Sequence, residues 1–293
     1  APTAEYGARA VAGTINIVLK EALKKTLNEL KMGAASEAGH TSPSASWTRN
    51  DTLGDAVAYT VTLSANRSDS LDENDTRTRW FNRSSGNQEL DQHETGTATT
   101  QRNGVHLHGR VQVGLGQGES LIVMPSLALS KGTSFTHNQL EQAPGGAIAQ
   151  PYARTTSEGD GSFSSVRANA QWQKNLGDGT RLELRYGAGS STFESHSLRR
   201  EWDTANIQTR TVDDQSSTRE NGWNLTGKVS QQLESEHSVV GGLELDSSKR
   251  RQSRTTLQNG APILTEFGDD VHASSMRIAA YVQDEWNPTK QLS

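Results

Sequence analysis

Hydrophobic and polar residues alternate along Val105–Leu115. The odd positions are aliphatic apart from Gly109, and the even positions carry polar or small residues: His106, His108, Arg110, Gln112 and Gly114. A β-strand points successive side chains to opposite faces, so this period of two predicts a strand with one apolar and one polar face. In a soluble sheet the apolar face would pack into a core. In an outer-membrane barrel it would face lipid, and the polar face would line a wet lumen.

The same alternation returns along the chain and predicts about ten strands. Its clearest further runs are 57–64, 121–130, 166–173, 182–188, 223–230, 239–246 and 276–283. Short turn sequences follow every second run: Asp51–Asp55, Gly114–Gly118, Asn175–Gly179 and Leu233–His237. Polar stretches separate the others: 133–161, 190–221, 247–274 and 66–104, the last of which is interpreted as the far ends of two strands joined by a long loop. Short turns and long polar loops therefore alternate, as they do in outer-membrane barrels.

The composition is unusually polar for a folded chain of 293 residues. Only 32% of the residues are hydrophobic, and the mean hydropathy is -0.72. These values alone would favour disorder. The apolar residues are nevertheless concentrated in alternating runs, which disorder does not require. A barrel wall accounts for the low hydropathy, because only every second residue of its membrane band must be apolar.

The tryptophans follow the same pattern. Trp47, Trp172, Trp223 and Trp286 share the parity of the aliphatic residues in their runs. Trp172 and Trp286 also lie beside short turns, where a membrane-interface girdle belongs. We therefore predict that Trp172, Trp223 and Trp286 are interfacial aromatics.

Charge and cysteine content exclude several classes of function. The net charge of -5 is too mild to indicate nucleic-acid binding. The absence of cysteine excludes disulfides and thiolate chemistry. The sequence contains no run of about 18 apolar residues, so it predicts no transmembrane helix. The start of the chain, Ala1–Tyr6, lacks the features of a signal peptide, so for an exported protein we expect this sequence to be mature or a fragment.

Residues 1–20 combine a turn region rich in glycine and alanine with a β-branched run, Thr14–Leu19, which predicts a strand. This segment resembles the end of the plug domain of TonB-dependent outer-membrane receptors. Three parts of the segment carry the likeness. They are Glu5, Tyr6 and Gly7, then the run 12–18 with Gly13 and Asn16, and finally Lys20. Ala12 departs from the glycine usual in that family. The segment 279–286 also resembles a barrel strand of these receptors.

The resemblance implies an all-β fold: a partial transmembrane antiparallel β-barrel of about ten strands, preceded by the last strand of a plug domain. Residues 1–20 would end the plug, and residues 21–293 would form the N-terminal portion of the barrel. Since plugged transporters have about 22 strands, about ten strands predict a fragment. A complete ten-stranded barrel stays open, but it would leave residues 1–20 unexplained.

The start of the barrel is ambiguous in the sequence. Leucines at positions 23, 27 and 30 have a spacing that also permits an amphipathic helix over 21–33. The resemblance instead makes Lys25–Gly33 the first barrel strand, followed by a loop over Ala34–Pro43.

The resemblance also implies a function. We expect energised uptake of a scarce ligand, such as a ferric siderophore, across the outer membrane of a Gram-negative cell. The implied partners are the TonB–ExbB–ExbD complex, outer-membrane lipid and lipopolysaccharide, and a small molecule such as a metal chelate. We expect no nucleic-acid partner, no cofactor and no enzymatic activity. A passive porin-like or adhesin-like barrel and a soluble β-rich binding domain remain as alternatives, and an enzyme is least favoured because no nucleophile motif occurs.

Candidate site residues are the polar-face residues expected to line the lumen or meet a ligand: His106, His108, Arg110, Arg167, Arg181, Arg185 and Lys228. The two histidines could chelate a metal, but the sequence places no third ligand, so lumen lining is favoured. Mutual ion pairing is the alternative role for the charged residues. The glycine-rich Gly114–Gly118 is interpreted as a turn, because no helix follows to form a phosphate site.

Overall fold

The computed structural model describes residues 26–144, 148–233, 237–263 and 270–286, in which every regular element is a β-strand. The strands are β1 (Leu27–Glu37), β2 (His40–Leu53), β3 (Val57–Phe81), β4 (Gln88–Gly116), β5 (Glu119–Gln142), β6 (Arg154–Gly177), β7 (Thr180–Trp202), β8 (Gln208–Gln232), β9 (His237–Gln258), β10 (Ala261–Ile263) and β11 (Asp270–Trp286).

All strands belong to one antiparallel sheet in chain order, an up-and-down meander. Both β10 and β11 pair with β9, at different points along its length. These two segments therefore fill one strand position, which agrees with the prediction of about ten strands. Among the described residues β1 and β11 form the two edges, and the sheet does not close on itself.

The short turns predicted at Asp51–Asp55, Gly114–Gly118 and Asn175–Gly179 are confirmed, whereas the turn predicted at Leu233–His237 lies partly outside the described residues. The residues of two of these turns explain their geometry. Gln117 and Gly118 have φ of 50° and 75°, and Asp178 and Gly179 have φ of 49° and 70°. Two successive residues with positive φ form a type I′ turn, whose twist matches that of the flanking strands. The hairpins β4–β5 and β6–β7 consequently close with two-residue turns at the same end of the strands.

The stretch 66–104 contains the far ends of two strands, as predicted, but the loop between them shortens to the residues between β3 and β4. The other polar stretches, which were predicted as long loops, are mostly strand where the structure describes them. The expected loop over 133–161, for example, shortens to the residues between β5 and β6. Cross-strand ion pairs such as Arg77–Asp91 (2.9 Å) and Arg254–Asp214 (2.6 Å) support these extensions. Both faces of such a strand are wet, so its sequence carries no apolar alternation, and periodicity could not reveal it.

The beginning of the sheet also differs from expectation. The helical alternative is wrong for the described part of 21–33, because β1 runs without interruption from Leu27 to Glu37. The loop expected over Ala34–Pro43 is instead the end of a hairpin that turns at Ala38 and Gly39, with φ of 50° and 82°. The edge strand β1 is thus longer than the sequence suggested.

The described sheet has almost no buried apolar core. Leu90 and Leu140 are its only buried hydrophobic side chains. By contrast, Val166 is 56% exposed, Leu243 47% and Trp223 39%. In the described part of the chain the apolar face is therefore uncovered.

Candidate functional site on the polar face

The strand register divides the side chains between two faces, because directly paired residues point to the same side of a sheet. One row on the apolar face crosses seven strands: Val111, Val123, Ala170, Tyr186, Leu225, Leu245 and Ile278. The neighbouring row on the polar face contains Gln112, Ile122, Gln171, Arg185, Thr226, Glu244 and Ala279. The lumen-facing candidates from the sequence all have the parity of this polar face.

His106 and His108 lie beside each other on the polar face of β4 and are exposed. His106 is paired with Ser64 and Ala128, and His108 with Thr62 and Ser126. Over the described ranges no group of three histidine, aspartate or glutamate side chains is arranged to hold a metal ion. The role of this pair as lumen-lining residues stays a prediction.

Arg110 on β4 and Arg167 on β6 occupy the same face. The Arg110 guanidinium donates from Nη2 to Oε1 of Gln112 at 3.1 Å. Its Nε is buried and has no hydrogen-bond partner among the described residues. Arg167 is exposed and belongs to the His108 row. Both guanidinium groups therefore retain donors for a further contact.

Closer to the short turns, the remaining candidates surround a buried carboxylate. Glu183 is buried and forms an ion pair with Arg185 on its own strand. Lys228 is directly opposite Glu183 in the β7–β8 register, and Arg181 donates to Gln173. Ion pairing, the alternative role considered from the sequence, accounts for Arg185. The net charge of this group is positive, since it contains three cations and one carboxylate.

A glycine-floored concavity of about 530 Å³ opens on the polar face between β6 and β9. Gly187 is paired with Asn169 on one side and Asn224 on the other. A Cβ atom at Gly187 would overlap Oδ1 of Asn224 and lie 2.8 Å from Oδ1 of Asn169. Glycine therefore leaves room for both amides to lean over the central strand, where they offer hydrogen-bonding groups beside Arg167 and Asp246.

A second polar network, absent from the sequence-based candidates, lies at the far end of the hairpins. Glu94 Oε1 accepts hydrogen bonds from Asn138 Nδ2 at 3.0 Å and from the Tyr152 hydroxyl at 3.1 Å. Burial, followed by the nearby Glu94 charge, raises the pKa of the Tyr152 phenol. The Arg199 guanidinium lies 5.4 Å from the Tyr152 ring and pairs with the buried Glu201 at 3.1 Å. We call Glu94, Asn138 and Tyr152 the tip network.

The predicted interfacial aromatics lie on the apolar face, near its two boundaries. Trp172 donates from Nε1 to Oε1 of Glu119 at 2.9 Å, close to the short turns. Trp286 stacks on His237, with 5.4 Å between ring centroids, at the same end of the strands. Trp223 lies at the opposite boundary of the apolar run in β8. Their interfacial role stays a prediction, as does the plug-end assignment: Glu5, Tyr6, Gly7, Gly13 and Asn16 lie outside the described residues.

No helix in the described part of the chain is long and apolar enough to span a membrane. No protein-family profile and no curated protein matches the sequence. Solved structures do show a distant likeness. The chain is 8% identical to the ferric yersiniabactin uptake receptor FyuA from Yersinia pestis, with 85% of this chain and 43% of that one covered and a TM-score of 0.38.

Two other solved structures show a similar likeness. For the ferric citrate transporter FecA in its unliganded form, the identity is 9%, the coverage 85% of this chain and 40% of that one, and the TM-score 0.32. For the copper transporter OprC, the identity is 12%, the coverage 93% of this chain and 46% of that one, and the TM-score 0.37. The chain thus spans less than half the length of each. Because these scores are low, the proposals below rest on the sheet itself.

Proposed function

We propose that this chain is part of the wall of an outer-membrane β-barrel, in a TonB-dependent receptor that imports a scarce small molecule such as a ferric siderophore. The observation that carries the proposal is the uncovered apolar face of a sheet whose other face is polar. A soluble protein rarely exposes an apolar surface that crosses a whole sheet. Lipid would cover this face, and a wet lumen would solvate the other.

The dimensions of the apolar band support this proposal. In β4 the alternation occupies Val105–Leu115, which matches the 9–11 residues of a tilted transmembrane strand. The strand continues outward from Gly104 to Gln88, roughly 55 Å at about 3.3 Å per residue. The short turns at one end of the strands correspond to the periplasmic side of such barrels, and the long hairpins at the other end correspond to the extracellular side.

The open edges of the sheet favour a larger barrel. Within the described residues, β1 and β11 each have an unpaired edge. Unpaired backbone groups in lipid cost several kcal/mol each, so a spanning sheet must close. We propose that further strands complete the barrel, and that residues 1–20 end a plug that fills it.

The proposed uptake route follows the polar face. The tip network would meet the ligand at the extracellular mouth, and Arg167 with the positive group around Glu183 would line the lumen below it. These cations suit an anionic ligand such as a metal chelate bearing carboxylates. Uptake would be energised through the TonB–ExbB–ExbD complex, and it would need binding and rearrangement rather than covalent chemistry.

Cysteine labelling of the full-length gene product tests the membrane placement, since this sequence contributes no cysteine. A membrane-embedded maleimide should label Leu107→Cys, whereas an aqueous maleimide should label His108→Cys. In intact cells an impermeant reagent should reach Ser84→Cys on the β3–β4 hairpin but not Asp178→Cys in the opposite turn. Labelling of Leu107→Cys and His108→Cys by the aqueous reagent alone would favour the soluble alternative.

Ligand uptake tests the energised mechanism separately. Cells that express the full-length protein should accumulate a radiolabelled ferric chelate, and deletion of TonB should abolish the accumulation. Uptake that persists without TonB would support the passive barrel instead.

A further inference from the structure

The floor of the concavity on the polar face is built from three adjoining glycines. Gly187 and Gly189 alternate along β7, and Gly222 of β8 is the direct cross-strand partner of Gly189. All three have the parity of the polar face. A Cβ atom at Gly222 would lie 3.3 Å from the backbone oxygen of Ser247 and would meet no side chain closer than 3.9 Å. A bound molecule can therefore approach the backbone closely there.

A guanidinium group covers one part of this floor. Gly189 is the direct partner of Arg167, and a Cβ atom at Gly189 would lie 3.4 Å from Nε of Arg167. Arg167 is exposed, and among the residues that the structure describes no carboxylate lies at ion-pair distance from it. Arg250, a second cation at the concavity, is already paired with Glu220 at 3.3 Å. Arg167 is therefore the cation that can bind an anionic group of a ligand.

Hydrogen-bond acceptors cover the neighbouring part of the floor. The Oδ1 atoms of Asn169 and Asn224 converge over Gly187 from the two flanking strands. Asp246, the direct partner of Asn224, adds a carboxylate on that side. Arg277, opposite Asp246 on β11, is paired with a different carboxylate at 2.9 Å. Two oxygens of like partial charge that meet over one glycine favour a hydrogen-bond donor between them, and an ammonium group brings three such donors.

The guanidinium group and the acceptors are separated by a distance that suits one small zwitterion. Gly187 and Gly189 are two residues apart on β7, which is roughly 7 Å at about 3.3 Å per residue. An α-amino acid carries its ammonium and carboxylate groups on one carbon atom. Charge-assisted hydrogen bonds of about 2.8 Å at both ends let it span this distance.

The tip network contains the acceptor half of this arrangement without the guanidinium half. The Oδ1 atoms of Asn74 and Asn138 converge over Gly96 in the same way. Because Nδ2 of Asn138 donates to Glu94, its Oδ1 is an acceptor, and this atom is buried without a hydrogen-bond partner among the described residues. Two residues along β4 the chain has Ala98 in place of a second glycine, and neither direct partner of Ala98 is basic. The arginine over a second glycine therefore distinguishes the concavity.

We propose that the concavity binds an α-amino acid group of the imported molecule, with its carboxylate on Arg167 and its ammonium between Asn169 and Asn224. The inference rests on the proposed function for the route by which the ligand arrives, since the polar face would line the lumen. It narrows the ligand from an anion to a zwitterion. Both contacts are charge-assisted, and such hydrogen bonds are stronger than neutral ones.

The test uses the full-length protein purified in detergent and three matched probes, each titrated by saturation-transfer NMR. L-Homoserine carries both charged groups, γ-hydroxybutyrate carries only the carboxylate, and n-propanolamine carries only the ammonium. Because two charge-assisted contacts form instead of one, homoserine should bind at least tenfold more tightly than either of the other probes.

Two variants should separate the halves of the concavity. Arg167→Gln should weaken the binding of homoserine and γ-hydroxybutyrate at least tenfold and leave that of n-propanolamine unchanged. Asn169→Ala/Asn224→Ala should weaken the binding of homoserine and n-propanolamine at least tenfold and leave that of γ-hydroxybutyrate unchanged. Arg219→Gln is the matched control, because Arg219 is an exposed arginine of β8 on the opposite face; it should bind all three probes as the parent does.

Three results would overturn the inference: no preference for homoserine over the single-charge probes, a loss of all three probes in both variants, or an equal loss in Arg219→Gln. Each variant carries its own folding control, since it should retain the probe that its change does not touch. Labelling of Leu107→Cys from within the membrane, together with failed homoserine binding, would refute only this site. Labelling of Leu107→Cys by the aqueous reagent alone, with homoserine binding intact, would refute only the membrane placement.

Discussion

The division of the sheet into a lipid face and a water face can be tested by placing one side chain on each face of β4. Val111 lies near the middle of the apolar run, paired with Tyr59 and Val123. His108 lies three residues away on the polar face, paired with Thr62 and Ser126. Val111→Arg and His108→Arg therefore introduce the same guanidinium on the same strand, but in opposite surroundings.

The expected difference follows from the position of Val111. Arginine on the lipid face of a barrel costs about 2–4 kcal/mol at the bilayer midplane. At about 1.4 kcal/mol per factor of ten, the folding equilibrium of Val111→Arg should fall by roughly 30- to 700-fold. His108→Arg remains in contact with water and neighbouring hydroxyl groups, so its free energy of unfolding should change by less than about 0.5 kcal/mol.

Urea titration of the full-length protein folded in lipid vesicles would measure both variants, with tryptophan fluorescence and the gel mobility of unheated samples as independent readouts. Two outcomes would refute the proposed division of faces. One is an equal loss of stability in both variants. The other is an unchanged Val111→Arg that stays folded and soluble without detergent.

Three further predictions follow from the hairpins and the apolar face. Arg77, with a smaller contribution from Arg79, holds the pKa of the Asp91 carboxyl at about 2. The stabilisation from this charge should therefore be complete above about pH 4 and lost as the pH falls toward 2. In Arg77→Gln an NMR titration should find the Asp91 pKa raised toward its usual value, with Arg79 still 3.5 Å from the carboxyl. Gly179→Ala should lose about 1–2 kcal/mol of unfolding free energy, because a Cβ would meet Gln232 O at 3.0 Å and φ is +70°. The Gly114→Ala control, where the nearest atom is at 3.6 Å, should show a smaller loss. A variant that retains Trp223 as its only tryptophan should be quenched by brominated acyl chains, and quenching by aqueous iodide alone would contradict the membrane placement.

The features that were predictable from sequence have local causes. Alternation over Val105–Leu115 specifies two faces without reference to any other strand. The Asp178–Gly179 turn follows from the tolerance of these two residues for positive φ. Parity alone was therefore enough to place the lumen-facing candidates on one side of the sheet.

The partners of those candidates depend on register and could not be predicted in the same way. Asn169, Gly187 and Asn224 come from three strands and meet only because two hairpins align them. The tip network depends on hairpin ends that carry no periodic pattern. Tyr152, between β5 and β6, meets Glu94 across a separation of 58 residues, a distance over which no spacing rule applies.

The length of the hairpins has a consequence for ligand binding. An isolated two-stranded ribbon is marginally stable in water. Here, however, the strands from β3 to β9 all extend beyond the apolar band and pair with their neighbours, so each ribbon supports the next. Cross-strand ion pairs add to this support without requiring a core. The tip network is therefore held on a continuation of the sheet rather than on separate loops, and the position of Glu94 relative to Asn138 is set by sheet register. A ligand bound there, as we propose, would meet groups already arranged for it, which would reduce the entropy lost on binding.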